Sequence, residues 1–238
     1  MLADQRQNGA SAGTLDRGVH KPREFLSSLV QFIAEALPNW RDDPARDKVA
    51  GETRLTAQLC AKLNSLARHS PGWDILQFRR EEPDEADGRR AIDLVASPSG
   101  EIVVVEGREY NEYQSLLPIE CKRLPTPTGK DRDEREYVIS QYSSTGGVSR
   151  FKEEHHGKEH NRAAMIAYIQ DDDVPHWCGI VDSWIDELAN DPSEEWTNDD
   201  KLSLLKHDEK GRIGFLKSLH LRKTVPDPIH IDHIWIVM

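Results

Sequence analysis

Short apolar runs rich in β-branched residues alternate with stretches of helical periodicity along this chain. AIDLVA, EIVVVEG and IHIDHIWIVM have the length and composition of strands. Apolar residues recur at helical spacing over residues 24–37, and a second helix is expected over about residues 46–68. The predicted order is α-α-β-β-β-β-α-β-α-β. This order indicates an α/β fold with a central mixed β-sheet flanked by helices.

The predicted organisation has three parts. Residues 1–20 lack periodicity and are expected to form a flexible tail. Residues 21–170 are expected to form the core, including an N-terminal helix, and residues 171–238 a helix and strand extension packed on it. No apolar run reaches the roughly 20 residues of a membrane span, and no secretory signal is seen, so we expect a cytoplasmic protein. The three cysteines form no CxxC pair, which argues against a disulfide framework or a cysteine zinc site.

The charge balance limits the partners. The chain has 31 Lys and Arg against 42 Asp and Glu, a formal net charge of -11. This excess argues against a surface coated in positive charge for non-specific nucleic-acid binding. An enzyme with a local basic cleft stays compatible with it.

Two predicted strands carry charged residues where apolar ones are expected. Asp93 lies in AIDLVA, and Glu120 and Lys122 lie in LLPIECKRL. Because successive strand residues alternate in direction, Glu120 and Lys122 share one face, and Cys121 packs on the other as a small apolar residue. Neighbouring carboxylates favour a cation or proton between them, and oxygen ligands suit Mg²⁺ or Mn²⁺. An ordinary ion pair on the sheet is the open alternative.

The pattern Asp93…Glu120-Cys121-Lys122 resembles the D…(D/E)xK signature of the PD-(D/E)XK, or restriction-endonuclease-like, nuclease superfamily. An upstream helical Glu and a downstream helical Gln also occur in many members, and Glu52 and Gln141 match them here. The αβββαβ order of that fold matches about residues 46–170. The proline that commonly precedes the Asp is absent, and Ile92 holds its place.

The resemblance implies a metal-dependent endonuclease that hydrolyses DNA phosphodiester bonds, with phage defence or restriction as the setting. Mg²⁺ (or Mn²⁺) is then expected on the Asp93 and Glu120 carboxylates and the Cys121 backbone carbonyl, with Glu52 as a further ligand. The implied catalytic residues are Asp93, Glu120, Lys122 and Gln141.

Several alternatives stay open at this stage. If the chain is not an independent enzyme, two roles remain. It would be a partner-dependent nuclease subunit, or a non-catalytic assembly or binding subunit. A different α/β enzyme without a nucleic-acid role is a third reading. RNA stays open as a substrate, as does a protein partner or a homo-oligomer, and no membrane association is expected.

Further candidates follow a Gly-Gly break. Arg150 and Lys152 are predicted to contact backbone phosphates, with a solvated helix face as the alternative. His155, His156 and His160 match no standard zinc spacing, and their charged flanks indicate a surface loop.

Overall fold

A seven-stranded mixed sheet forms the centre of the computed structural model, which describes residues 24–84, 87–142 and 146–238. In spatial order the sheet reads β1-β2-β5-β6-β9-β8-β7. The strands are β1 (Leu76–Pro83), β2 (Ala91–Pro98), β5 (Leu117–Leu124), β6 (Arg162–Ile169), β7 (Ser203–Asp208), β8 (Ile213–His220) and β9 (Ile229–Val237). The short strands β3 (Val103–Val105) and β4 (Arg108–Tyr110) pair with each other in a separate ribbon.

The strand directions divide the sheet into three regions. β2 lies between β1 and β5 and runs antiparallel to both. β5, β6 and β9 are mutually parallel, and β8 and β7 return antiparallel at the far side. The expected α/β fold with a mixed central sheet is therefore confirmed.

Two helices cover one face of the sheet. α1 (Phe25–Arg41) and α2 (Glu52–Arg68) bury an apolar stripe against strand residues of β2, β5 and β6. The apolar spacing over residues 24–37 predicts a helix that Pro38 would end, but Pro38 lies within α1, which continues to Arg41. The last turn is held by Trp40, which is buried and lies 5.8 Å from the Tyr168 ring.

The opposite face is covered by α3 (Gly147–Lys152) and α4 (Val174–Ala189). α4 begins after Asp173, whose side chain accepts a hydrogen bond from the His176 N–H, as N-cap residues do. Its apolar face packs with inward residues of β6 and β9, including Met165 and Trp235. Helices therefore flank the sheet on both sides.

Three further local expectations from the sequence are wrong in whole or in part. The sequence EREYVISQYSS, residues 134–144, predicts a helix, and its last two residues lie outside the described ranges. Residues 134–142 form turns instead, because the Asp133 carboxylate accepts the N–H groups of Arg135 and Gln141. The sequence LSLLK is compatible with a helical turn, but its residues 203–206 lie in β7. Of EIVVVEG, only Val103–Val105 is a strand, and it lies in the ribbon outside the main sheet.

The C-terminal segment does more than pack on a core. It supplies β7, β8 and β9, and β9 lies between β6 and β8. β6 and β9 pair along eight residues. Residues 171–238 are thus part of the central sheet. The predicted tail, residues 1–20, lies outside the described residues, and the helices of the described ranges include none able to cross a bilayer.

Candidate active site

The site lies where β2 and β5 separate. Their pairing runs through Ala96↔Leu117, Val95↔Pro118 and Leu94↔Ile119 and then ends. The next pair in that register would be Asp93 and Glu120. There the Asp93 Oδ2 accepts a hydrogen bond from the Cys121 N–H at 2.9 Å. The acceptor at this position is therefore a side-chain carboxylate and not a backbone carbonyl. The two strands thereby present their acidic residues at one opening of the sheet.

Lys122 lies among three carboxylates. Its Nζ is 3.6 Å from Oε1 of Glu52, Oδ2 of Asp93 and Oε2 of Glu120. It also donates to the Cys121 carbonyl at 3.1 Å. Burial alone would lower the pKa of Lys122, but the charges of Asp93, Glu52 and Glu120 outweigh it and raise the pKa. The lysine is therefore held as a cation at the centre of the predicted site.

Glu52 reaches the site from the neighbouring helix. It is the first residue of α2, and its Oε2 accepts the Arg123 N–H at 3.0 Å. A carboxylate at a helix N-terminus is favoured by the helix dipole. The contact also fixes the start of α2 against β5, so the helix, β2 and β5 each contribute one carboxylate.

Glu120 is fully buried, and each of its oxygens has a partner. Oε2 lies 2.6 Å from Nη1 of Arg150, and Oε1 lies 2.7 Å from Nδ1 of His156. Burial opposes ionisation, but the His156 hydrogen bond and the charges of Lys122 and Arg150 prevail and lower the pKa of Glu120 to about 2. Glu120 is thus a carboxylate that is charged at neutral pH and held from two sides.

Asp93 has the opposite electrostatic setting. Burial and the neighbouring Glu120 raise the pKa of Asp93 to about 7, although Lys122 and the Cys121 N–H favour its charged form. Crowded carboxylates of this kind mark functional sites more often than ordinary surface positions. Within one site, Glu120 and Asp93 therefore differ strongly in proton affinity.

Cys121 points away from this cluster, as the alternation predicts. Its side chain is fully buried, and burial raises the pKa of its thiol. On that face Thr56 and Tyr168 share a hydrogen bond of 3.2 Å. Cys121 therefore contributes only backbone groups to the site, its N–H to Asp93 and its carbonyl to Lys122.

The other predicted site residues, Gln141, Arg150 and Lys152, lie in three different environments. Gln141 is exposed in a turn, and its backbone N–H donates to Asp133. Arg150, expected to contact phosphate, instead binds Glu120. Lys152 is buried and pairs with Asp200 at 2.9 Å, which withdraws its charge from any surface that a phosphate could approach.

His156 is the site residue that the sequence reasoning missed. It was expected in a surface loop, yet it is buried and bonded to Glu120. Its backbone N–H donates to the Arg150 carbonyl at 2.9 Å, so the turn after α3 carries it inward. The flanking charges gave no signal of this burial.

The donor chemistry of the cluster suits a hard divalent cation, since it consists of three carboxylates and a backbone carbonyl. In the present arrangement, the described residues contain no group of three or more His, Cys, Asp and Glu side chains placed to hold a metal ion. The ammonium of Lys122 is the cation at the centre, and Arg150 and His156 engage Glu120.

Comparison of the chain with protein-family models, with curated proteins and with solved structures finds no match. The functional argument therefore depends on the geometry of this cluster.

Proposed function

We propose that this protein is a metal-dependent nuclease of the PD-(D/E)XK type that hydrolyses phosphodiester bonds in DNA. The observation that carries the proposal is the convergence of Glu52, Asp93 and Glu120 on Lys122 where β2 and β5 separate. An ordinary ion pair needs one carboxylate for one lysine, whereas here three carboxylates from three elements surround the same lysine.

The order of elements supports the same assignment. With the β3–β4 ribbon set aside as an insertion, the chain runs α2-β1-β2-β5-α3-β6, which is the order αβββαβ. Asp93 lies on the second strand of this series, and Glu120 and Lys122 on the third. The resemblance noted in the sequence and the spatial arrangement thus concern the same residues.

Glu52, Asp93, Glu120 and the Cys121 carbonyl would hold Mg²⁺ or Mn²⁺. When bound, the ion would supply an activated water and charge stabilisation at the phosphate. Lys122 neutralises negative charge at this position, and its raised pKa keeps it protonated across the neutral range. Ammonium is suited to this role because it is a compact, mobile charge.

The acidic composition bears on how DNA reaches the site. With a formal net charge of -11, long-range attraction of a polyanion is weak or opposed. A partner protein that supplies a basic surface would solve this problem, and we therefore include partner-dependent activity within the proposal.

The test is cleavage of supercoiled plasmid, linear duplex, single-stranded DNA and RNA by the purified protein with Mg²⁺, Mn²⁺ or EDTA. We expect metal-dependent DNA cleavage. Asp93→Asn and Lys122→Met are expected to lower the rate by about 100-fold or more, since each removes a group that acts on charge in the transition state.

Glu106→Gln is the matched control. Glu106 is an exposed glutamate on the turn between β3 and β4, in the ribbon separate from the main sheet, and the variant should cleave like the wild type. Equal cleavage by wild type, Asp93→Asn and Lys122→Met would refute the site. No cleavage by folded wild-type protein with any of these substrates would leave a partner-dependent or non-catalytic subunit as the better description.

A further inference from the structure

A chain of buried polar side chains lies beneath the sheet face that α3 covers. Trp235 Nε1 donates to the Tyr137 hydroxyl at 2.7 Å, and this hydroxyl lies 2.7 Å from Nδ1 of His233. Ser218 Oγ lies 2.7 Å from Nε2 of both His233 and His220. His220 Nδ1 lies 2.6 Å from Asp200. The buried members are Tyr137, Asp200, Ser218, His220, His233 and Trp235.

The two ends of this buried chain of side chains fix the donor-to-acceptor direction of its hydrogen bonds. An indole N–H only donates and a carboxylate only accepts. Burial lowers the pKa of both His220 and His233, which favours the neutral form of both rings at neutral pH. Tyr137 must then donate to His233, His233 to Ser218, Ser218 to His220, and His220 to Asp200. Every link is satisfied in one direction, and the links strengthen one another.

Lys152 of α3 is bound at the acceptor end. Its Nζ lies 2.9 and 3.1 Å from the two oxygens of Asp200 and 5.3 Å from the centroid of the Trp196 ring. Asp200 also accepts the Thr197 N–H at 2.8 Å. The ammonium of Lys152 is buried and has a fixed position.

The same chain holds the other end of α3. The Val148 N–H donates to the Tyr137 carbonyl at 3.0 Å, while the hydroxyl of Tyr137 belongs to the chain. α3 has only six residues, too few for a helix to be stable by itself. Its position is therefore set by these contacts at both ends.

The opposite side of α3 faces the candidate active site. Arg150, two residues before Lys152, binds Oε2 of Glu120. The Arg150 carbonyl accepts the His156 N–H, and the His156 ring binds Oε1 of Glu120. α3 thus connects the buried chain to both oxygens of one carboxylate.

We propose that the buried chain from Trp235 to Asp200, with Lys152, is a positioning device for Glu120. It fixes α3, and α3 fixes Arg150 and His156 against the carboxylate. Lys152 and Asp200 are positioning residues, since neither touches the cluster around Lys122. The catalytic consequence rests on the proposed nuclease function, whereas the geometric consequence does not.

The experiment compares wild type, Lys152→Met and Ser218→Ala. Crystal structures give the distance between Arg150 Nη1 and Glu120 Oε2, and single-turnover cleavage gives the rate. We expect this distance to open beyond hydrogen-bond length in Lys152→Met. We expect cleavage to slow by about tenfold in both variants, with an unchanged Kd for DNA measured without metal, as when a supporting contact of a site residue is lost. Ser97→Ala is the matched control, since Ser97 is a buried serine bonded to Arg79, outside the chain.

A double variant keeps the test decisive if Lys152→Met does not fold. Lys152→Met with Asp200→Leu removes both buried charges together, a change that often preserves stability. An unchanged Arg150–Glu120 contact in a folded variant that lacks Lys152 would overturn the proposal. A wild-type protein that cleaves nothing would count only against independent nuclease activity, because the distance between Arg150 and Glu120 still tests the positioning.

Discussion

Two buried carboxylates, Glu120 and Asp200, carry charge in the interior because cations and hydrogen-bond donors face them. Glu120 has Arg150, His156 and Lys122, and Asp200 has Lys152 and His220. A buried ion pair contributes little net stability, but losing one partner leaves an uncompensated charge. Single substitutions at these positions should therefore cost more than the pair itself contributes.

Asp200 predicts an acid dependence of stability. Burial opposes its ionisation, but His220 and Lys152 hold its pKa at about 2, below the 3.8 of an unstructured chain. Since the folded pKa is the lower one, the stabilisation is complete above pH 3.8 and is lost as the pH falls through 3.8 towards 2. The wild-type free energy of unfolding should fall by about 2 kcal/mol from this group across that range.

Asp200→Asn should remove this part of the acid dependence. It should also destabilise the protein at pH 7 by about 3 kcal/mol, because Lys152 is left buried without its partner. Urea unfolding between pH 2 and pH 7 measures both effects. Asp199→Asn, at the exposed neighbouring position, should change neither. An unaltered pH profile in Asp200→Asn would show that Asp200 is not the responsible group.

The residues that sequence reasoning found are those whose neighbours make them conspicuous. Asp93, Glu120 and Lys122 interrupt apolar strands, and Glu52 interrupts an apolar helix stripe, so their type contradicts their surroundings. His156 lies among charges, and its burial depends on a turn that follows a six-residue helix. The sequence predicts a helix around Gln141, but hydrogen bonds to Asp133 form a turn there. Local pattern could not predict these tertiary effects.

At the scale of elements, the backbone at the start of α3 packs closely against the turn before it. A Cβ added to Gly146 would lie 2.2 Å from Cα of Ile139. The contact is backbone to backbone, so neither side can rotate away. The Gly-Gly pair that reads as a helix break in the sequence is therefore also the place where two backbone segments pack.

We expect Gly146→Ala to destabilise the fold by about 2 kcal/mol, the cost of overpacking a site without room to relax. Chemical denaturation measures the loss. Gly179→Ala in α4 is the control, since nothing lies within 4 Å of its added Cβ and alanine is favoured in helices by up to about 1 kcal/mol. A Gly146→Ala protein as stable as wild type would mean that the turn can shift freely.

The sequence predicts an element well where one of its faces is clearly apolar, and poorly where neither face is. α2, α4, β2, β5, β6 and β9 follow from apolar spacing. In β7, four consecutive residues from Ser203 are exposed, which removes the alternation that identifies a strand. β3 looked like a core strand because Val103–Val105 is β-branched, but Val104 and the preceding Ile102 are exposed in the ribbon.

At the scale of the whole molecule, the sheet cannot be cut where the sequence suggested a boundary. β9 pairs with β6 over eight residues and with β8 on its other side. Without it, the buried strand β6 would become an open edge. The two apolar clusters on the sheet faces both include residues of β9, such as Ile234 and Trp235.

A fragment of residues 24–170 is therefore expected not to fold. It lacks β7, β8, β9 and α4, which uncovers the face of β6 that α4 packs on and leaves the hydrogen bonds of β6 to β9 unpaired. Near-ultraviolet circular dichroism and urea unfolding would show no fixed tertiary signal and no cooperative transition. A cooperative transition in the fragment would restore the division into a core and an extension.

The buried chain also has a consequence for internal order. A row of hydroxyls and waters can reverse all its hydrogen bonds together and so exists in two orientations. The row from Trp235 to Asp200 has no such freedom, because an indole nitrogen cannot accept and a carboxylate cannot donate. Its bond dipoles all point towards Asp200, so this part of the interior has a single polarity and no residual orientational entropy.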